Sequence, residues 1–287
     1  MTTNTAALSL QLSHLNPAVK PSSRPLMISL VGGGGKTSSA FWLAQQFKQA
    51  GHCVLVSTTT KMYLPEQHQA DHFIFEQNDN NHIDSIIDQQ PSSTLLSRLQ
   101  QQKHEVSITF CFQQLLESTA DSNARKVTGI TPSLIDNLKN KSPFTVFIIE
   151  ADGAKQMPIK APSGHEPCIP LSTDIVVGVT GAESINAHAD PMNIHRWNCF
   201  SLITQCKEGD EIDHQVLGKL LEHSDGMFKQ APENAIKIWL INKVDLAPCY
   251  SQLQQTAQHV FKQVKQLDEV WFVAMHDQTP IKELMRR

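Results

Sequence analysis

The chain has 287 residues, 40% hydrophobic and 18% charged, the balance of an ordinary globular protein long enough for one large α/β domain or two small ones. Its 24 Lys and Arg against 28 Asp and Glu leave a formal net charge of −4, too acidic for a bulk grip on nucleic acid, and no long basic run supplies a local one. No apolar stretch approaches the ~20 residues that span a bilayer. The opening lacks the basic region and apolar run of a signal peptide, and six scattered Cys with no C-x-x-C pair read as reduced thiols. These features lead us to expect a cytoplasmic protein with neither a membrane nor a nucleic-acid partner.

In chain order, residues 1–25 are rich in Thr, Ser, Asn, Ala and Pro and read as a disordered leader without a periodic apolar face. Leu26–Val31 is a short apolar run bounded by glycines, the pattern of a strand buried on both faces. From Thr37 to Ala50 the apolar residues Phe41, Ala44 and Phe47 recur at helical spacing, and Gly51 stands where such a helix stops. A second buried strand, Cys53–Ser57, completes a βαβ unit with parallel pairing. The Gln- and Asn-rich stretch 62–142 reads as an insertion or a less regular region. Within it Phe73–Phe75 and Val106–Phe112 resemble strands, and Ile83–Gln90, Thr94–Gln102 and Pro132–Asn140 helices, the last capped by Thr131. Phe144–Glu150, Asp174–Val179, Ile236–Ile241 and Glu269–Ala274 are further apolar strands, interspersed with helices at Asp213–His223 and Ser251–Lys265. This alternation predicts an α/β fold over residues 26–287, a mostly parallel sheet with helices on both faces.

Three strand ends carry chemistry. Gly32, Gly33, Gly34 and Gly35 followed by Lys36, Thr37 and Ser38 stand between the first strand and the first helix, where a phosphate-binding loop belongs. Glycines allow backbone amides to turn inward as an anion nest, Lys36 adds a point charge for β/γ-phosphates, and Thr37 offers a hydroxyl to Mg²⁺. The full G-x-x-x-x-G-K-[ST] pattern is not met, because Leu30 occupies the position of its first glycine; the shorter loop is similar to that of Mur-type peptide ligases, which bind ATP. The strand ending at Ile149 runs into Glu150-Ala151-Asp152-Gly153, an acidic strand end suited to a Mg²⁺ ligand, with Glu150 and Asp152 equally placed by spacing. E-x-x-G here resembles the corresponding motif of metallocentre-assembly GTPases. The strand ending at Ile241 runs into Asn242-Lys243-Val244-Asp245, an N-K-x-D in which Asp245 is suited to accept from the guanine edge, Asn242 to pair with its outer acceptors, and the Lys243 stem to lie along the ring. Val273-Ala274-Met275 ends the next strand, where GTPases use a loop against the base.

The segments LVGGGGKTSS, STTTKMYLP and FIIEADGAKQMPIKAPSGHEPCIP, followed by LINKVD, resemble the YqeC-like family of selenium-cofactor or selenium-dependent molybdenum hydroxylase accessory proteins. The resemblance runs from about Met27 to the C-terminus and is thin between Glu66 and Lys141. It implies a P-loop NTPase-like fold and a role in maturing molybdenum hydroxylases, with that enzyme or its cofactor-maturation proteins as partners. It also adds Thr58, Thr59, Thr60 and Lys61 of the TTTK motif as candidates facing the nucleotide phosphates or a second anionic ligand, and Lys155, Lys160, His165 and Glu166 of the later string as the lining of an adjoining pocket. His165 and Cys168 have a two-ligand spacing but no second pair, so a Pro-rich loop over the site outweighs a metal site. The reading these residues support is a nucleotide-binding protein and Mg²⁺-dependent NTPase taking GTP in preference to ATP. Its competitors are an ATP-dependent kinase or ligase acting on a small acidic substrate, and a cofactor-binding chaperone without catalysis.

Overall fold

The computed structural model describes residues 24–75, 95–102, 105–116 and 125–287. In chain order it begins with β1 (Leu26–Gly32), α1 (Lys36–Gln49), β2 (Val54–Thr58), β3 (Met62–Tyr63), β4 (His72–Phe75) and α2 (Leu95–Gln100). β5 (Ile108–Phe112), β6 (Gln114–Leu116), β7 (Lys126–Thr128), α3 (Pro132–Lys141), β8 (Val146–Glu150) and β9 (Ile159–Lys160) follow. Then come β10 (Ile175–Gly181), β11 (Ile194–His195), α4 (Trp197–Thr204) and α5 (His214–Glu222). The chain closes with β12 (Ile236–Asn242), α6 (Tyr250–Gln263), β13 (Glu269–Val273) and β14 (Ile281–Arg286). Every described strand and helix expected from the sequence is present with ends within two residues; residues 1–23 and the helix expected at Ile83–Gln90 lie outside the described residues. The described residues are thus mixed α/β, with a mainly parallel nine-stranded sheet.

Two compact units share the chain. One comprises the described residues up to Met27, Ala40–Ile149 and Pro170–Ser172; the other comprises Ile28–Ser39, Glu150–Ile169 and Thr173–Arg287. In the first, the strand order is β8-β2-β5-β4, with β2 and β4 both parallel to β5. A separate antiparallel trio, β3-β7-β6, lies in the region that the sequence left irregular. Leu55, Ile74, Leu99, Ile135, Leu138, Phe144 and Phe147 form a core of the first unit. Helix α3 starts where local chemistry dictates, with Pro at its first turn and the Thr131 hydroxyl accepting from the Leu134 amide.

In the second unit the order is β14-β13-β12-β10-β1, parallel throughout except for the antiparallel edge strand β14. β1 and β10 are buried along their whole length, which explains their unbroken apolar runs. α6 buries Leu253, Thr256, Ala257 and Val260, a single helical stripe, and α5 buries Leu217, Leu220 and Leu221. Asp213 caps α5 by accepting from the Gln215 and Val216 amides. Because β1, β10 and β12 are parallel neighbours, their carboxyl ends at Gly32, Gly181 and Asn242 emerge on one edge. That edge carries the candidate site.

Candidate functional site

Gly34 sits at φ +76°, and a Cβ there would lie 2.2 Å from the Gly181 amide nitrogen, so the loop requires glycine both for its backbone and for its close approach to β10. The expected nest of glycine amides is partly closed. Gly32 N–H donates to Asp152 Oδ2 at 3.1 Å, Gly33 N–H to the Val179 carbonyl and Gly34 N–H to the Met157 carbonyl, each at 2.9 Å. The amides that a helix leaves without intrahelical acceptors are those of its first turn, and here that turn begins at Lys36. The amides open to an acceptor are therefore those at the start of α1 and not those of Gly32, Gly33 and Gly34.

Lys36 is buried and folds back on the loop, donating to the Gly32 carbonyl at 2.6 Å with its ammonium 3.1 Å from Asp152 Oδ1. Thr37 donates its hydroxyl to Glu150 Oε2 at 2.7 Å. The chain leaving β8 passes beside β1, where the Ala151 amide bonds the Leu30 carbonyl at 2.9 Å, and this brings both acids to the loop. Asp152 also faces Lys160 at 3.3 Å, and Lys160 reaches the Gly153 carbonyl at 2.5 Å and Glu166 at 2.7 Å. Arg196 closes the series 3.4 Å from Glu166. Charges of alternating sign, Lys36, Asp152, Lys160, Glu166 and Arg196, thus run from the glycine loop to the start of α4.

Burial pushes the Glu150 carboxyl above its ordinary range, with neighbouring Asp152 adding to the rise against Lys36, Lys160 and the Thr37 hydroxyl. Glu166 moves the other way: burial would raise it, but the hydrogen bond and charge of Lys160, with Arg196 and His165, hold it below. His195, buried at the end of β11, is pushed down to about 4 by burial and by Lys160 and Arg196.

At the end of β12, Asn242 Nδ2 donates to the Gly34 carbonyl at 2.8 Å, while its Oδ1 is buried without a hydrogen-bond partner. This is a clamp on the glycine loop, a role that spacing alone did not suggest. Lys243 is left-handed at φ 60° and its ammonium lies 2.6 Å from Glu183 Oε1. Asp245 is exposed in the short turn Val244–Leu246. Lys155 is exposed at φ 47°, and the Cys168 thiol donates to the His165 carbonyl at 3.3 Å instead of pairing with its ring.

The second unit therefore gathers Lys36, Thr37, Glu150, Asp152, Lys160, Glu166, Asn242 and Lys243. Thr58, Thr59, Thr60 and Lys61 belong to the first unit. There the Thr58 hydroxyl bonds both the amide and the carbonyl of Thr60, the Thr58 carbonyl accepts from Ile130, and Lys61 is exposed. Sequence reasoning missed Glu183, His195 and Arg196. Glu183 carried a usable signal, an acid directly after a buried strand, the same signal that marked Glu150.

The family model of the YqeC protein matches residues 28–198, a span that holds the loop, both strand-end acids and the whole series of alternating charges. The chain belongs to the YqeC family. The uncharacterized protein YqeC of Escherichia coli (strain K12) is 34% identical over 248 residues, covering 86% of this chain and 87% of that protein. In this YqeC-family chain Asn242–Asp245 lies beyond the segment that the family model matches. Among the described residues no helix is long and apolar enough to cross a membrane. Among them, too, no group of three or more His, Cys, Asp or Glu is placed to hold a metal ion by itself.

Proposed function

We propose that this YqeC-family protein binds a nucleoside triphosphate with Mg²⁺ at the start of α1 and hydrolyses it, taking GTP in preference to ATP. The observation that carries the reading is the pairing of Thr37 with Glu150 at 2.7 Å beside a buried Lys36–Asp152 pair, at the first turn of a helix that follows a buried strand. Mg²⁺ fits this donor set: it is ordinarily held by one or two carboxylates together with phosphate oxygens and water, which matches a hydroxyl and two acids better than a cage of protein ligands. Thr37, Glu150 and Asp152 would hold it, and it would neutralise charge on the β- and γ-phosphates. Lys36 would exchange the Gly32 carbonyl for phosphate, the first turn of α1 would hold further phosphate oxygens, and Asn242 would keep the loop in shape. The exposed Asp245 is the group left to read the base. Service to selenium or molybdenum cofactor assembly, with a molybdenum hydroxylase or its maturation proteins as partners, follows from the family resemblance.

Calorimetry with GTP and ATP, with and without Mg²⁺, tests the reading. Lys36→Ala, compared with wild type at a temperature where its unfolding curve shows it folded, is expected to weaken GTP binding by about 10–100-fold, the worth of a charge-assisted contact; Asp152 keeps Lys160 and the Gly32 amide as partners. Equal affinity for ATP and GTP would remove the guanine assignment, and Asp245→Asn should otherwise shift preference toward xanthine nucleotides. Phosphate release without an added acceptor separates hydrolysis from the kinase or ligase alternative. Absence of any nucleotide affinity would leave the chaperone reading in its place. The cellular role is tested in cells lacking the protein, where wild type but not Lys36→Ala should restore molybdenum hydroxylase activity.

A further inference from the structure

Glu183 lies in the short turn Ala182–Ser184 that follows β10, the strand between β1 with its phosphate loop and β12 with its Asn-Lys-Val-Asp turn. A ligand that starts at Lys36 and ends at Asp245 must cross the end of β10. The packing there leaves little between loop and carboxylate. Gly34 approaches Gly181 so closely that a Cβ on Gly34 would meet the Gly181 nitrogen and Cα, and a Cβ on Gly181 would fall 2.4 Å from Glu183 Oε2. The Glu183 carboxylate is therefore one backbone layer away from the phosphate loop.

Its two oxygens differ. Oε1 is held by the Lys243 ammonium at 2.6 Å, whereas Oε2 is buried with no hydrogen-bond partner, and the nearby Asn242 Oδ1 is in the same condition. A buried acceptor without a donor is costly, more so when it is charged, so two such acceptors at one strand edge mark a place where a ligand brings donors. A nucleoside carries them as ribose hydroxyls and as the imino and amino hydrogens of its base, and phosphate carries none when ionised.

Resting on the nucleotide reading above, we propose that Glu183 is a specificity residue whose Oε2 accepts a hydrogen bond from the nucleoside part of the ligand, with Lys243 holding the carboxylate in position. Phosphate and nucleoside are then recognised by different groups. Lys36, Thr37 and the start of α1 take the first, and Glu183 with Asn242 and Asp245 take the second.

Calorimetry on the full chain separates these contributions, using Mg²⁺ with GTP and Mg²⁺ with inorganic tripolyphosphate. Glu183→Gln keeps the size of the side chain and is expected to lose about tenfold or more in GTP affinity while tripolyphosphate affinity stays within about twofold. Lys243→Ala should give a smaller loss of the same kind. The analogue whose affinity no longer responds to Glu183→Gln names the donor: 2′-deoxy-GTP for the ribose hydroxyl, ITP for the 2-amino group. A Glu183→Gln protein that binds GTP as the wild type does overturns this inference alone, as does an equal loss for GTP and tripolyphosphate, which would make the role structural. Wild-type protein that binds neither compound overturns the nucleotide reading and this inference together.

Discussion

The turn at Gly32–Thr37 and the turn at Thr58–Lys61 each leave the carboxyl end of a fully buried strand, and they satisfy their polar groups in opposite ways. The first draws on distant polar side chains, two of them acids: Asp152 takes the Gly32 amide and Lys36, Glu150 takes the Thr37 hydroxyl, and the Asn242 amide donates to the Gly34 carbonyl. The second uses neutral groups: the Thr58 hydroxyl bonds Thr60, the Thr58 carbonyl accepts from the Ile130 amide, and the backbone packs against Gly129. A turn built on buried charge can be switched by a charged ligand, because an added anion or cation re-partners every member.

The largest test of that contrast is Lys160→Ala. Lys160 is fully buried between Asp152 and Glu166, and removing one partner of a buried ion pair strands the others, at a cost of about 3–5 kcal/mol. Denaturant unfolding should show it, and a change below about 1 kcal/mol would mean that the charges around the glycine loop are not coupled. Gly129→Ala is expected to cost about 1–3 kcal/mol by the same measurement, since its Cβ would fall 2.5 Å from the Thr58 carbonyl oxygen and from the Thr60 nitrogen.

The pH dependence should separate the carboxylates within the charged region. With its folded pKa raised above the ordinary 4.5, Glu150 contributes stability at low pH that is lost as pH rises from 4.5 through the folded value, so Glu150→Gln should be more stable than wild type at pH 7 and no different at pH 4. Glu166, depressed below 4.5, contributes stability above that value and loses it as pH falls through the folded one. His195, neutral in the fold, contributes stability that falls away from pH 6.5 down to about 4, and His195→Gln should flatten unfolding free energy over that window. If Glu150→Gln were destabilising at pH 7, the acid would be serving the resting fold and not a bound cation. The smallest effect is expected for exposed Lys61→Ala, within about 0.5 kcal/mol of wild type in stability.

Much of this arrangement was legible before any fold was known. Thr131 and Asp213 announce their helices by local capping chemistry, and Leu26–Val31 announces a buried strand by composition. Helix α4 escaped notice because it starts after a left-handed Arg196 with no side-chain cap, so no start signal precedes Trp197. Strand β14 escaped because Ile281–Arg286 mixes charges with apolar residues, as a half-exposed edge strand does, and its antiparallel pairing to β13 is a tertiary matter. The short trio β3-β7-β6 offers too few residues for periodicity to register.

The sequence by itself determined which residue types stand at which strand ends, because strand, glycine turn and helix are read from neighbours a few positions apart. It placed Lys36, Glu150, Asp152 and Asn242 at carboxyl ends of buried strands, and parallel pairing then obliges those ends to share an edge within a sheet. Only the tertiary structure decided who partners whom. That Asn242 spends its amide on Gly34, that Lys160 lies between Asp152 and Glu166, and that Glu183 presents one held and one unmet oxygen are outcomes of packing between segments far apart in the chain. Burial sets those choices, since a charge withdrawn from water takes whichever opposite charge or dipole the fold has brought within reach, and sequence spacing carries no record of that distance.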